Sequence, residues 1–473
     1  MRGILGHGAY IPRWRLERAS IGTALGSGAA KGTRAVASYD EDTTTMGAEA
    51  ARLALRNAPG STPATLWFST TAPAYLDKTN ATTIHAALRL ERDVLAADAG
   101  GAARSATAAL RTSLDGTAPA LVVAADIRGG LAGGPDESAG GDGAAAVLVG
   151  DENDGTLVAT YLGSASASEE FLDRWRAPDD SWSKLWEERF GEGRYLELGE
   201  HAWKHALKAA GLAAADVTDL IVAGLHGRAV RALARRLAVP PTRVVDTLDA
   251  SVGCTGAAHP LLLLSSALEC AAPGAVIGLV ALADGADVFF FRASGSGTPV
   301  PPARTVDAQQ SGGRVVPYGK YLAWRGRLQA EPPRRPDPAR VSAPAAGRAI
   351  EWKFGFVGSR SPGSDEVRLP PAVPGADPRG SPEPAPMADA LGTVATYTVD
   401  RLAYSPSPPI VFAVVDFDGG GRLPIELTDV GPDEVTIGTR VEMTFRRLSS
   451  ADGIVNYFWK ARPVTAGVPG GDE

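Results

Sequence analysis

A duplicated α/β fold followed by a small all-β barrel is the architecture predicted by three features of the sequence. Up to about Arg292, short apolar runs alternate with longer helical stretches. Two passages in that region look like each other. Beyond a zone rich in Pro and Gly, the texture changes to closely spaced strand-like runs.

The apolar runs are Leu66 to Ser69, Ala120 to Ala125, Ala144 to Gly150, Leu220 to Ala223 and Val276 to Ala281. Each is long enough for a buried strand and too short for a helix. The helical stretches include Thr45 to Arg56 and Glu200 to Ala210. Leu66 to Thr71 leads to Asp98 and an Ala-rich helix ending at Leu110. Leu220 to Leu225 leads to Asp249 and an apolar helix ending at Leu268. The two passages are the expected halves of the duplication.

From Ser294 to Val315 and from Pro332 to Pro344, Gly, Ser and Pro cluster, with a short helical segment, Tyr318 to Leu328, between them. Ser361 to Pro386 has no apolar periodicity and reads as loop. Thr393 to Val399, Ile410 to Phe417, Leu423 to Thr428, Arg440 to Phe445 and Val455 to Lys460 read as five strands, and DFDGGG at Asp416 to Gly421 as a hairpin loop. Five short strands in so small a region suggest an OB-fold. The expected divisions are 1–295, a linker with a docking helix over 296–345, 346–387, and the barrel over 388–473.

With 473 residues, 44% of them hydrophobic and 21% charged, the chain can bury a large core. The 47 basic and 54 acidic residues give a formal charge of -7, without a Lys/Arg block, which argues against nucleic acid as partner. The run Asn456 to Trp459 is accordingly read as a core or interface strand rather than a base-stacking platform. Two cysteines, Cys254 and Cys270, are the usage of a reducing compartment, so a cytoplasmic location is expected. The N-terminus has no apolar signal-like core, and the longest apolar stretch, Ala275 to Ala283, is too short to span a bilayer.

Several segments together resemble the ketoacyl synthase III and 3-hydroxy-3-methylglutaryl-CoA synthase branch of the thiolase superfamily. They are GILGHGAYIP near the start, DEDTTTMGAEAARLAL from Asp40 to Leu55, GDGAAAVLVG from Gly141 to Gly150, and VGCTGAAHPLLLL from Val252 to Leu264. Residues Trp352 to Pro463 resemble the acyl-CoA-associated OB-fold family. The resemblance implies a five-layered thiolase-like core, dimeric, followed by the OB barrel. It also implies an acyl-CoA or acyl-carrier-protein thioester as substrate, with no further cofactor.

In the family resembled, an acyl group is carried on a cysteine at a helix N-terminus, where the helix dipole favours thiolate, while a histidine and an asparagine stabilise the enolate or oxyanion. The histidine position matches His226, just beyond a predicted strand. The cysteine position, five residues after Asp98 and seven before Leu110, falls on Ala103, which cannot form an acyl-enzyme. Ser105 lies two residues on, about 200° around a helix, and is read as a capping or packing residue. The asparagine position is occupied by Cys254. Either Cys254 is a small buried hydrophobe in a Gly-rich turn, or it faces His226 across a pocket and is activated by it. His259 is read as a packing residue.

Where 3-hydroxy-3-methylglutaryl-CoA synthases place a general-acid glutamate, Phe68 to His85 offers Tyr75 and Asp77 as the nearest ionisable groups. The alternative is that Asp77 and Lys78 cap a helix and Tyr75 packs at a dimer interface. Tyr39 with Asp40, Glu41 and Asp42 reads as a helix N-terminus. Relatives of the OB-fold family carry two CxxC pairs holding zinc. Ser361, Ser364, Gly375 and Pro378 stand at those positions here, so no metal is expected and the segment is read as an irregular loop.

Three functions remain open at this point. The chain catalyses Claisen or aldol-type carbon–carbon chemistry, or acyl transfer, on a thioester without an acyl-cysteine. Alternatively, it is a non-catalytic partner of an active thiolase, or an acyltransferase with Cys254 as relocated nucleophile.

Overall fold

A computed structural model describes the chain except residues 29, 179, 330, 332, 373–379 and 465–473. It forms two compact units. The first comprises Met1–Ala37, Glu49–Ala81 and Arg92–Val316, and the second Ser38–Ala48, Thr82–Glu91 and Pro317–Glu473.

A nine-stranded mixed sheet organises the first unit. Its strands are β1 (Arg2–Tyr10), β2 (Thr65–Ser69), β3 (Leu95–Asp98), β4 (Ala120–Asp126), β5 (Gly143–Asp151), β6 (Ala159–Ala167), β7 (Asp219–Gly224), β8 (Val276–Leu282) and β9 (Ala286–Ala293). The spatial order is β7-β8-β9-β6-β1-β5-β4-β2-β3. Read outward from the middle, β1-β5-β4-β2 and β6-β9-β8-β7 have the same order and sense, which is the predicted duplication. β3 pairs in parallel with β2. In the second half that edge shrinks to one parallel bridge, Leu220 to Val244.

The halves are not separate sheets. They join through a two-residue antiparallel ladder in which Gly3 faces Thr160 and Ile4 faces Ala159. A Cβ on Gly3 would stand 2.1 Å from the Ala159 carbonyl, so only glycine permits this seam.

Side-chain alternation covers both faces of the sheet. Ile221 and Phe289 with Phe291 enter a core cluster with Leu110, Val122, Val147 and Leu261 to Leu264. Leu220, Val222 and Phe290 point the other way, onto Tyr195, Ala202 and Trp203. The first cluster contains α2 (Ser105–Asp115) and α5 (His259–Cys270), and the second contains α3 (Glu188–Ala210) and α4 (Gly227–Arg236); α1 (Thr43–Arg56) precedes them in the chain.

In the second unit, a closed five-stranded barrel is built from β13 (Leu391–Asp400), β14 (Ile410–Phe417), β15 (Arg422–Leu427), β16 (Arg440–Ala451) and β17 (Ile454–Pro463), as the strand spacing predicts. Tyr457 and Trp459 are buried in its core, stacked with Phe445 and Phe356. Upstream, β10 (Val357–Arg360) pairs antiparallel with both β11 (Val367–Arg368) and β12 (Glu383–Pro386). The segment expected to be an irregular loop is therefore a three-stranded ribbon. Ser361 is buried in its turn and its carbonyl accepts from the Ser364 N–H at 3.1 Å. Gly375 and Pro378 lie outside the described residues. Among the described residues, no helix is long and apolar enough to cross a membrane.

The acidic run before α1 has two roles where one was expected. Asp42 caps the helix, its Oδ1 accepting from Thr45 N–H at 2.9 Å. Asp40 and Glu41 instead belong to a buried charge cluster of the second unit. The Arg446 guanidinium lies 2.5 Å from Glu41 and 2.6 Å from Asp429, and Lys460 lies 3.0 Å from Asp40 and also pairs with Glu426. Thr428 and Tyr457 donate to Asp40 and Asp42 at 2.8 and 2.7 Å.

Candidate functional site

At the N-terminus of α2, Gly101, Ala102 and Ala103 line a cavity of about 320 Å³. Two contacts hold this end of the helix against the β8–β9 hairpin. Arg104 forks onto Asp287 with two 3.0 Å hydrogen bonds, and Thr107 donates to the same carboxylate at 2.8 Å. Arg104 also donates to the Asp284 carbonyl at 2.9 Å. This arrangement brings Asp284, in the hairpin turn, to the cavity that Ala103 faces. Gly285 is required there, because its φ of 138° favours glycine and a Cβ would stand 2.5 Å from the Ala167 carbonyl.

The cavity has an acidic group and a basic group. On the acidic side, the Tyr195 hydroxyl bridges the Asp173 carboxylate and the Asp284 backbone. Burial, reinforced by Asp173 and Asp284, pushes Tyr195 up, so it remains a hydroxyl at neutral pH. Burial and the neighbouring Asp173 push the Asp284 carboxyl up as well, as a proton-transfer group requires. On the basic side are Arg128, Arg174 and Arg176. Arg174 is held bidentate by Asp136 at 2.7 and 2.8 Å. Arg128 donates to the Thr71 hydroxyl at 3.1 Å, and Arg176 donates to the Thr71 carbonyl.

Cys254 lines a second cavity of about 220 Å³, which shares Leu225 with the first. Its thiol donates to the Gly224 carbonyl at 3.6 Å, and burial pushes it up to about 11. It is a protonated thiol at neutral pH, the opposite of what a nucleophile needs. The imidazole sharing this cavity belongs to His259, read from sequence as packing; burial holds it neutral, down to about 4. Its Nδ1 accepts from the Thr255 N–H at 3.3 Å.

His226 lines neither cavity. It is the N-cap of α4: Nδ1 accepts from Ala229 N–H at 3.1 Å, which leaves Nε2 to donate to the Glu188 carbonyl at 2.9 Å. The meeting of His226 with Cys254 that the second reading of Cys254 requires is not found, because the start of α4 uses Nδ1 and the start of α3 uses Nε2. Its ring centre is instead 5.7 Å from that of Tyr195.

Tyr75 and Asp77 also lie away from both cavities. They sit in a loop pinned by Asn80, whose side chain accepts from Tyr75 N–H at 3.0 Å and donates to the Tyr75 carbonyl at 2.9 Å. Asp77 is exposed, and the Lys78 ammonium stands 5.7 Å from the Tyr75 ring centre. Ser105 begins α2 beside Gly100.

Sequence reading missed Arg128, Asp173, Tyr195 and Asp284. The available signals were Asp284 in a Gly-containing turn between two apolar runs and the alternation Arg174-Trp175-Arg176 in a charged loop.

With the two thiols so placed, iodoacetamide near neutral pH is expected to label the exposed Cys270 and spare Cys254, as read by peptide mass mapping. Equal labelling of both would contradict the raised, hydrogen-bonded thiol of the half-buried Cys254.

Comparison with known proteins agrees with this architecture. Residues 207–288 match the family model of the 3-oxoacyl-[acyl-carrier-protein (ACP)] synthase III C terminus, and residues 386–446 that of the ChsH2 C-terminal OB-fold domain. Hydroxymethylglutaryl-CoA synthase of Thermococcus onnurineus is 32% identical over 297 residues, covering 60% of this chain and 83% of that protein. The enzyme of the same name from Methanopyrus kandleri is 28% identical over 346 residues, covering 69% and 98%. In fold, the chain is similar to the crystal structure of an HMG-CoA synthase complexed with CoA, with a TM-score of 0.59 and 17% identity over 72% of this chain and 94% of that one. It is also similar to 3-oxoacyl-(acyl carrier protein) synthase III from Pseudomonas aeruginosa, with a TM-score of 0.55 and 21% identity over 63% and 99%. With its duplicated core and appended barrel, the chain belongs to the hydroxymethylglutaryl-CoA synthase family, a branch of the thiolase-superfamily synthases that handle acyl thioesters.

Proposed function

We propose that this protein makes or breaks a carbon–carbon bond on an acyl thioester without forming an acyl-enzyme. The observation that carries this reading is Ala103: a methyl group stands at the start of α2, in a cavity that also presents Asp284. The HMG-CoA synthase structure complexed with CoA, similar in fold to this chain, supports a CoA thioester as substrate.

A thioester carbonyl directed at the N-terminus of α2 meets the positive end of the helix dipole, which stabilises negative charge on its oxygen. In the cleavage direction, Asp284 takes the proton from a β-hydroxyl group. The Cα–Cβ bond then breaks, a carbonyl leaves, and the electron pair becomes the enolate of the thioester. Reprotonation at Cα completes the turnover, and the reverse sequence is an aldol addition. Tyr195 donates its hydrogen bond to Asp173, and burial together with the neighbouring Asp173 raises the Asp284 carboxyl, so that it holds more firmly the proton it takes up. Only groups of the chain itself are used.

The test is turnover of a panel of β-hydroxyacyl-CoAs by wild type and Asp284→Asn. Loss of general-base catalysis is expected to slow the variant by about a hundredfold or more with little change in KM. Equal rates would remove Asp284 from the mechanism. Absence of turnover in the wild type, with stimulation of an added thiolase, would favour the non-catalytic partner.

A further inference from the structure

α3 turns one face, with Tyr195, Leu198, Ala202, Trp203 and Ala206, into the core. His201 and His205 stand on the opposite face, and both are exposed. Side chains four residues apart on a helix lie one above the other. The two imidazoles are accordingly stacked, with ring centres 4.4 Å apart and planes 29° from parallel. Among the described residues, no hydrogen bond or ion pair engages either ring. The other four of the six histidines are placed differently. His7 and His259 are buried, His85 is hydrogen-bonded through Nε2 to the Glu91 carbonyl, and His226 uses both ring nitrogens.

Two imidazoles one helical turn apart are a chelate assembled in advance. The backbone holds both ligands together before an ion arrives, and the soft terminal torsion of each ring lets both nitrogens turn toward one point. The surroundings decide which ion fits. Glu197, one turn before His201, is already paired with Arg194 at 3.2 Å, and Lys204 and Lys208 are exposed on the same stretch. Among the described residues, no group of three or more His, Cys, Asp or Glu side chains that could hold a metal ion is found. A hard cation such as Mg²⁺ therefore lacks the oxygen ligands it requires. Imidazole nitrogens suit the late first-row divalent ions instead, and Cu²⁺ most of all.

We infer that His201 and His205 form a two-imidazole chelating site for a late first-row divalent metal ion, with water completing the coordination. The site is independent of the thioester reading above. An ion bound there clamps one turn of the helix that also carries Tyr195.

The experiment is calorimetric titration of the full-length, untagged protein with Cu²⁺ alone, after its exposed Cys270 has been blocked with iodoacetamide. Wild type is expected to bind a single ion per chain, with nitrogen ligands in its electron paramagnetic resonance spectrum and no competition from excess Mg²⁺. Loss of outer-shell support alone weakens metal sites by about 10–100-fold, so His201→Ala and His205→Ala, which each remove a ligand, are expected to weaken binding at least about tenfold. Both positions are exposed and alanine is the best helix former, so the variants keep the helix. Failure of the wild type to bind, or an affinity that neither substitution changes, overturns the inference. Two equal ions per chain, of which each substitution removes one and leaves the other as tight as before, also overturns it, because the histidines would then bind separately.

Discussion

Ala103→Cys is expected to take up an acyl group from acyl-CoA, and the wild type is expected not to. Ala103 lies in the turn immediately before α2, facing a cavity of about 320 Å³. A thiol introduced there sits where the helix dipole lowers its pKa, the condition under which cysteine attacks a thioester at neutral pH. The change adds one sulfur atom at a half-buried position bordering open space, so the fold should tolerate it. Intact mass after incubation with acetyl-CoA reads the outcome: a gain of one acetyl group in Ala103→Cys and none in the wild type. Absence of the adduct, in a variant whose new thiol still reacts with iodoacetamide, would mean that a thioester does not reach this helix end.

The other large effect is on stability. Arg446→Met is expected to cost the second unit about 3–5 kcal/mol, because Glu41, Asp429 and Asp40 would be left buried without the guanidinium that lies against all three. Urea unfolding followed by tryptophan fluorescence measures this. A loss below about 1 kcal/mol would show the cluster to be hydrated and weakly coupled. Acid should act in the same sense. Burial pushes the Asp40 carboxyl up, but Lys460 and Arg446 more than offset that and hold it well below the usual carboxylate range. A group depressed in the folded state contributes stability above its unfolded value, near pH 4, and loses it as the pH falls further. The wild type should therefore lose stability steeply below about pH 4, and Arg446→Met less steeply.

The same residues show what was legible in the sequence and what was not. The duplication and the barrel were legible because each strand is a local apolar run and each half repeats the order of its runs. The place of Ala103 just before a helix was legible because its spacing from Asp98 and Leu110 is local to one strand-turn-helix passage. A bulged strand such as β6, Ala-, Ser- and Tyr-containing rather than aliphatic, escaped the same test. Asp40 and Glu41 looked like a helix start because their cationic partners lie some four hundred residues away, where no local pattern registers them. His226 had the reverse fate: its place at a strand end was visible, but its capping of α4 and its bond to Glu188 depend on a helix packed beside it. Arg128 and Asp284 belong to no motif, and only the folding of separate loops onto one cavity makes them a site.

The most direct test of catalysis without an acyl-enzyme is a single sample read in two ways. Wild-type protein is mixed with a β-hydroxyacyl-CoA, the released carbonyl product is measured, and intact mass is recorded during turnover. Product is expected together with unmodified protein mass throughout. An acyl adduct that forms and decays at the rate of turnover, mapped to Cys254 or any other side chain, would contradict it.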